Sequence, residues 1–245
     1  MIPKVIHYCW FGGKSLPDSA MKCLESWKQF FPDYQIIQWD ESNFDVRAVS
    51  YVSEAYDAGK YAFVSDYARF LVLHKYGGIY FDTDVEAVAG LDDILAEGPY
   101  MGMEKTMSGE IAVNPGLGFA CEAGMPLLSQ LLEQYSQLHF RRNDGSLDTT
   151  TIVKYTTDAL CGYGYRPENV LQKAAGFTIY PTDYFCPLDY ASGRLNKTDN
   201  TRTIHRYAAT WHTVRDKWIR IKRLFFTEKQ IKCISAFLDR FRTKR

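Results

Sequence analysis

The sequence predicts an α/β fold: a single domain built on a central, mostly parallel sheet. Three observations predict it. The chain opens as strand, helix, strand, the order that lays neighbouring strands parallel. Residues 62–85, AFVSDYARFLVLHKYGGIYFDTDV, read as a buried helix, a double-glycine stop and a short interior strand. At 245 residues, 46% hydrophobic and 15% aromatic, the chain can bury one large core more readily than two.

Each element follows from local pattern. Residues 3–10 contain the β-favouring run VIHYCW, closed by Gly12 and Gly13. A helix runs from near Pro17 to about Phe31, with Ala20, Cys23, Leu24 and Trp27 at 3–4 spacing as its buried stripe. Pro32 and Asp33 break it, and residues 34–39 form the second strand. Residues 40–45 are a loop and residues 46–59 a helix. The helix over 62–76 is apolar on nearly every face, as a helix inside a domain must be. Gly77 and Gly78 supply the positive φ that ends it, and Ile79, Tyr80 and Phe81 are too few for anything but a strand. Beyond Val85 the expectations are a turn and short helix over 86–98, a strand over 100–103 and a bare loop through Asn114, Pro115 and Gly116. A helix over 125–140 follows, then a polar, mobile-looking segment over 141–146. The next helix is capped by one of Thr149, Thr150 and Thr151. Short strands with a proline turn cover 178–187, and a half-buried strand covers 203–212.

The chemistry concentrates at Asp82 and Asp84. On an extended backbone residues i and i+2 face the same side, so both carboxylates would project from one strand end. Two close carboxylates repel unless protons or a cation lie between them. Oxygen ligands of this kind suit Mg²⁺ or Mn²⁺, which take one or two carboxylates together with substrate phosphates. Asp66 and Arg69, one turn apart, share a helix face. An acid and a guanidinium beside a diacid suit a polar, phosphorylated ligand, although the pair by itself is more simply read as a surface i,i+3 ion pair. Trp10, at the end of the first strand and before a double glycine, is either a core residue or a ring lying over a base. His7, in mid-strand, reads as a hydrogen-bonded core histidine. Asn114 reads as a turn asparagine, with contact to sugar hydroxyls as the alternative.

Ser65-Asp66-Tyr67-Ala68-Arg69, Tyr76-Gly77-Gly78-Ile79-Tyr80 and Asp82-Thr83-Asp84 together resemble the D-x-D sugar-transferase family of capsular-polysaccharide and mannosyltransferase-like enzymes, glycosyltransferase family 32. A more distant similarity is to the glucosylating domains of large clostridial toxins. The resemblance implies a GT-A-like nucleotide-sugar-binding fold and a hexosyltransferase that retains anomeric configuration. A UDP-sugar is the favoured donor and GDP-mannose the other. It implies Asp84 as direct metal ligand and Asp82 bridging metal, ribose and sugar. Asp66 would accept from sugar hydroxyls, Arg69 would hold the sugar or a phosphate, and Trp10 would stack on the base. Family members also carry a histidine a few residues before a tryptophan, matched here by His205 and Trp211. His205 is then the third metal ligand, with His212 as the reserve and an ordinary edge-strand histidine as the alternative. Trp211 joins the donor site on the same resemblance. Thr149, Thr150 and Thr151 stand where relatives often show T-G-P, which puts the local donor contacts in doubt.

Net charge is zero but unevenly placed. Residues 215–245 carry eleven Lys/Arg against three Asp/Glu, leaving eighteen against twenty-six upstream. Residues 1–214 are therefore expected to be the GT-A-like domain and 215–245 a basic, amphipathic, helical tail. That tail either packs on the acidic body or touches an anionic membrane weakly. The partners expected are a nucleotide sugar and a saccharide acceptor, in some relatives lipid-linked, with no nucleic acid. No apolar run approaches the roughly 20 residues needed to span a bilayer. The N-terminus lacks a signal-peptide pattern. Six scattered cysteines without a C-x-x-C pair favour free thiols. The expected location is cytoplasmic or peripheral at the inner membrane face. Two other classes fit parts of the pattern: a sugar- or nucleotide-binding protein without turnover, and an aspartate-nucleophile phosphatase. The phosphatase motif needs Thr or Val where this chain has Glu86.

Overall fold

The computed structural model describes residues 1–208. Its main sheet carries eight strands in the order β2 (Gln35–Trp39), β1 (Val5–Cys9), β3 (Gly78–Tyr80), β7 (Phe119–Cys121), β5 (Tyr100–Lys105), β9 (Phe177–Tyr180) and β8 (Gln172–Ala174), with β6 (Ile111–Val113) paired to β5. Strands β1, β2, β3, β5 and β9 run one way and β6, β7 and β8 the other, so the sheet is mixed but mostly parallel, as expected. A second, two-stranded sheet pairs β4 (Val85–Ala87) antiparallel with β10 (Thr203–His205).

Helices cover both faces, which is why β1 and β3 are apolar on both sides. On one face α2 (Ser50–Asp57), α3 (Tyr61–Tyr76), α5 (Pro126–Ser136) and α6 (Ile152–Cys161) enclose a core of Tyr51, Phe63, Phe70, Tyr80, Leu131 and Tyr135. On the other, α1 (Asp18–Phe30), α4 (Asp92–Ala96) and α7 (Thr182–Phe185) pack on Ile6, Tyr8, Ile79 and Phe81. The predicted stripe of α1 is the buried one: Ala20, Cys23, Leu24 and Trp27. Trp27 also donates from Nε1 to the Val85 carbonyl at 2.7 Å, tying α1 to the second sheet.

The α3 helix is buried on nearly every face, charged residues included. It ends at Gly77, with φ 66°, where any Cβ would lie 2.9 Å from the backbone of Ala123 and Cys121. Only glycine satisfies both the turn and the close approach. His7 is a core histidine: its Nε2 donates to Gly77 O at 3.0 Å and its Nδ1 accepts from Trp39 Nε1 at 3.1 Å.

Several boundaries differ from expectation. The α2 helix starts at Ser50, because residues 46–49 turn on the Asp45 carboxylate, which accepts from Arg47 N. Glu86 lies in β4 rather than in a turn. The bare loop after Val113 is ordered into a 3-10 turn, Pro115–Leu117. Residues 141–147 are pinned by a bridge between Arg141 and Leu147 and by Glu54, which accepts from Arg141 N at 2.7 Å. Thr151 stands at the N-cap of α6 but makes no capping hydrogen bond. Of the strand expected over 203–212, only Thr203–His205 is strand, and the described residues 206–208 lie outside it. Trp211, His212 and the basic tail lie outside the described residues.

Candidate active site

The site forms where β3 ends and the chain crosses to β4. The extended backbone expected at Asp82 and Asp84 is absent. Strand β3 stops at Tyr80, and residues 82–85 form a turn closed by Val85 N donating to Asp82 O at 3.0 Å. The two carboxylates therefore each engage their own set of partners.

Asp82 is held by the helix beneath it. Arg69 donates from Nη1 to Asp82 Oδ2 at 3.2 Å and from Nη2 to Asp66 Oδ1 at 3.0 Å, while its Nε donates to Ser65 O at 3.1 Å. Tyr80 donates from its hydroxyl to Asp82 Oδ1 at 3.1 Å. The Arg69 guanidinium also lies 4.8 Å from the Tyr80 ring centre, a cation–π contact. So the predicted face-sharing of Asp66 and Arg69 holds, but the pair is buried rather than a surface bridge: the side chains are 10% and 5% exposed. Burial raises the Asp66 pKa to about 7, against the pull of Arg69. Burial also raises Asp82, with Arg69 opposing and the charge of Asp84 adding to it.

Asp84 looks the other way. Its Oδ1 lies 3.2 Å from His205 Nε2, and its Oδ2 accepts from Ala208 N at 2.9 Å. Strand pairing causes this: His205 stands opposite Val85 in the β4–β10 ladder, and Arg206 N donates to Asp84 O at 2.8 Å. Burial pushes Asp84 up, but His205 and the Ala208 amide outweigh it and hold the carboxyl below its ordinary value. In turn, Asp84 raises His205 well above the usual histidine value despite burial. A protonated imidazole and a cation are alternative neutralisers of the same carboxylate.

The donor set fits a divalent metal. Asp82 and Asp84 remain 28% and 20% exposed, so both offer oxygens to a ligand, and His205 offers a nitrogen beside Asp84. Asn114 is committed to structure, in line with its reading as a turn residue. Its Oδ1 accepts from Gly116 N at 2.7 Å and its Nδ2 donates to Glu104 Oε2 at 2.7 Å. Gly116 is pressed against the acid: a Cβ there would lie 2.0 Å from Asp82 Oδ2, and Asp82 N donates to Gly116 O at 3.0 Å. Trp10 sits at the end of β1, half-buried, its Nε1 donating to Lys14 O at 2.6 Å. It packs at the edge of the core rather than inside it.

Three neighbours were not singled out from sequence. Tyr80 lies two residues before Asp82, so period-2 reading could have found it. Glu104 is the next-to-last residue of β5 and Cys186 follows the four-residue α7; no local pattern marks either.

Residues 17–101 match the family described as the glycosyltransferase sugar-binding region containing DXD motif, so the resemblance carried by residues 65–84 extends over that stretch. Inositol phosphoceramide mannosyltransferase 3 of Schizosaccharomyces pombe is 32% identical over 143 residues, 57% of this chain and 38% of that protein. Inositol phosphoceramide mannosyltransferase 1 of the same yeast is 28% identical over 111 residues, 41% of this chain and 33% of that one. The chain thus spans well under half the length of these relatives. Among solved structures, the PaToxG glycosyltransferase superimposes with a TM-score of 0.50 at 22% identity, over 66% of this chain and 69% of that one. It shares the fold, the GT-A-like α/β architecture expected from the sequence.

Proposed function

We propose that the protein is a metal-dependent glycosyltransferase that moves a hexose from a nucleotide sugar to a saccharide acceptor with retention of configuration. The observation that carries the reading is the pairing of His205 with Asp84 across the β4–β10 ladder, with Asp82 two residues away and both acids inside the stretch that matches the D-x-D family. Asp82, Asp84 and His205 would hold Mn²⁺ or Mg²⁺. A divalent ion there neutralises charge that builds on a departing diphosphate.

The chain's own residues prepare that site. Arg69 fixes Asp82 and Asp66 in one fork, so neither carboxylate can swing away from a sugar bound above them. Asp66, held by Arg69 and by the Ile152 backbone amide, would accept from a donor hydroxyl. Gly116 brings bare backbone against Asp82 and fixes where that carboxylate lies. Trp10 would offer a ring face to the base, and Trp211 is assigned to the donor site on the sequence resemblance alone. A UDP-sugar remains the favoured donor. The names of the two yeast relatives support GDP-mannose as the other candidate and a lipid-linked acceptor. A role in capsular or other surface polysaccharide rests on the sequence resemblance.

Among the described residues no helix is long and apolar enough to cross a membrane. The basic segment over 215–245 would bring the enzyme to anionic lipid at the inner face, with salt-sensitive binding. Co-sedimentation with anionic vesicles should drop when the chain is cut after Asp216; equal pelleting of both forms would remove the membrane role.

The deciding experiment is a thermal-shift screen of nucleotide sugars with Mn²⁺, followed by donor hydrolysis. Slow, Mn²⁺-dependent release of free sugar, lost in Asp84→Ala, is expected. Release of inorganic phosphate instead would mark a phosphatase, and binding without turnover a binding protein. Full activity of Asp84→Ala in Mn²⁺ would remove the metal assignment.

A further inference from the structure

His205 has a second side. Its Nε2 faces Asp84, while its Nδ1 is buried without a hydrogen-bond partner among the described residues. Glu104 and Cys186 lie beside the ring: one ligand atom from each of Glu104, Cys186 and His205 falls within 4.8 Å of the others. With Nε2 turned to Asp84, Nδ1 is the nitrogen left for that pair. The three residues come from three elements held by main-chain anchors. Thr203 Oγ1 donates to Leu117 O at 3.2 Å and to Phe185 O at 3.1 Å, locking β10 to the segment before Cys186. Asn114 Nδ2 donates to Glu104 Oε2 at 2.7 Å and so fixes the Glu104 carboxylate.

We propose that Glu104, Cys186 and His205 form a second cation site, selective for a thiophilic ion of the Zn²⁺ class, and that filling it switches off the site at Asp82 and Asp84.

The donor set decides the ion. Thiolate, imidazole and carboxylate together suit Zn²⁺ or Co²⁺, with the sulfur disfavouring Mg²⁺ and Mn²⁺. Three protein ligands leave one position for water. The Cys186 proton passes to solvent on binding, as it does whenever a thiol becomes a metal ligand. The ligand atoms need to draw together slightly, since zinc–ligand bonds are about 2.0–2.3 Å.

The switch follows from the imidazole. A histidine that ligates through one nitrogen carries its proton on the other and commonly donates it to a carboxylate. Here ligation through Nδ1 fixes the proton on Nε2, directed at Asp84 Oδ1. The Nε2 lone pair is then lost to any ion at Asp82 and Asp84, and a positive charge already sits nearby. This second half rests on the role of His205 proposed above; the cation site itself does not.

Co²⁺ reports on both separately. Added to the metal-stripped full chain, it should give a thiolate-to-cobalt absorption band in the near ultraviolet that disappears in Cys186→Ser. Glu104→Gln should keep the band but weaken Co²⁺ binding at least about tenfold, since even outer partners of metal ligands cost 10–100-fold. No band in the wild type, or the same band in Cys186→Ser, overturns the site, the latter by moving the metal to another cysteine. Should Cys186→Ser fail to fold, unchanged Co²⁺ affinity in Glu104→Gln overturns it instead. In donor hydrolysis with Mn²⁺, Zn²⁺ should inhibit the wild type and lose that effect in Cys186→Ser. Zn²⁺ inhibition of equal strength in both overturns the switch. A cysteine-dependent Co²⁺ band in a protein that hydrolyses no donor would sink the transferase reading and leave the cation site standing.

Discussion

His205 Nε2 stands 3.2 Å from Asp84 Oδ1, and the β4–β10 ladder puts it there by pairing His205 with Val85, the residue next to the acid. Asp82, two residues earlier, is held instead by Arg69 from α3. One acid therefore depends on a helix for its position and the other on a strand pair.

Arg69 is the common anchor of Asp66 and Asp82, and both would suffer from its loss. Replacing it by methionine leaves two buried carboxylates without their cation, a change that costs about 3–5 kcal/mol for a broken buried pair. Urea unfolding should read this directly. Arg69→Lys should recover only part, because an ammonium cannot fork between two acids and the Ser65 carbonyl. A lysine variant as stable as wild type would show that the fork is unimportant.

Gly116→Ala tests the close approach to Asp82. The new methyl would start 2.0 Å from Asp82 Oδ2 and 3.0 Å from Asn114 Oδ1, so the acid or the turn must move. Overpacking of this sort costs about 1–3 kcal/mol, while a displacement near 1 Å at a reacting centre costs about 10²-fold in rate. Donor hydrolysis should thus fall far more than stability does. Equal, small changes in both would mean that Asp82 tolerates the shift.

Trp10→Ala should weaken binding of the free nucleoside diphosphate by about 1–3 kcal/mol if the ring stacks on the base. Isothermal titration of wild type and variant measures it. The ring also donates to Lys14 O, so the melting temperature must be followed in parallel. Unchanged nucleotide affinity with a lower melting temperature would return Trp10 to a purely structural role.

His7 gives a pH signature away from the site. Burial lowers its pKa to about 4, against the Gly77 carbonyl that favours the charged ring. The unfolded chain, near 6.5, binds the proton first, so stability from the neutral ring is complete above pH 6.5 and lost as pH falls toward 4. Between pH 7 and pH 5 this amounts to about 2 kcal/mol. Asp66, raised to about 7, works in the opposite direction over the same window, so the contribution must be read as a difference. Wild type should lose about 2 kcal/mol more than His7→Leu between those two pH values. Parallel pH curves for the two proteins would show that His7 is not held neutral.

Much of this molecule is local in origin. The stripe of α1, the all-round burial of α3 and its stop at Gly77 follow from spacing and from glycine's freedom. So does the sharing of one helix face by Asp66 and Arg69, because i and i+3 always meet on a helix. The sequence by itself determined the α/β order and brought Asp66, Arg69, Asp82 and Asp84 within one short stretch. It did not determine how that stretch ends. A turn at Asp82–Val85 replaces the extended strand because Asp82 N pairs with Gly116 O, and Gly116 arrives from the β6–β7 connection. Nor could it rank His205 above an ordinary edge-strand histidine, since its neighbours Asp84, Glu104 and Cys186 come from three other segments. Those choices belong to the tertiary structure. Backbone pairing and buried carboxylates are settled by partners distant along the chain, and no periodicity records where a distant partner will lie.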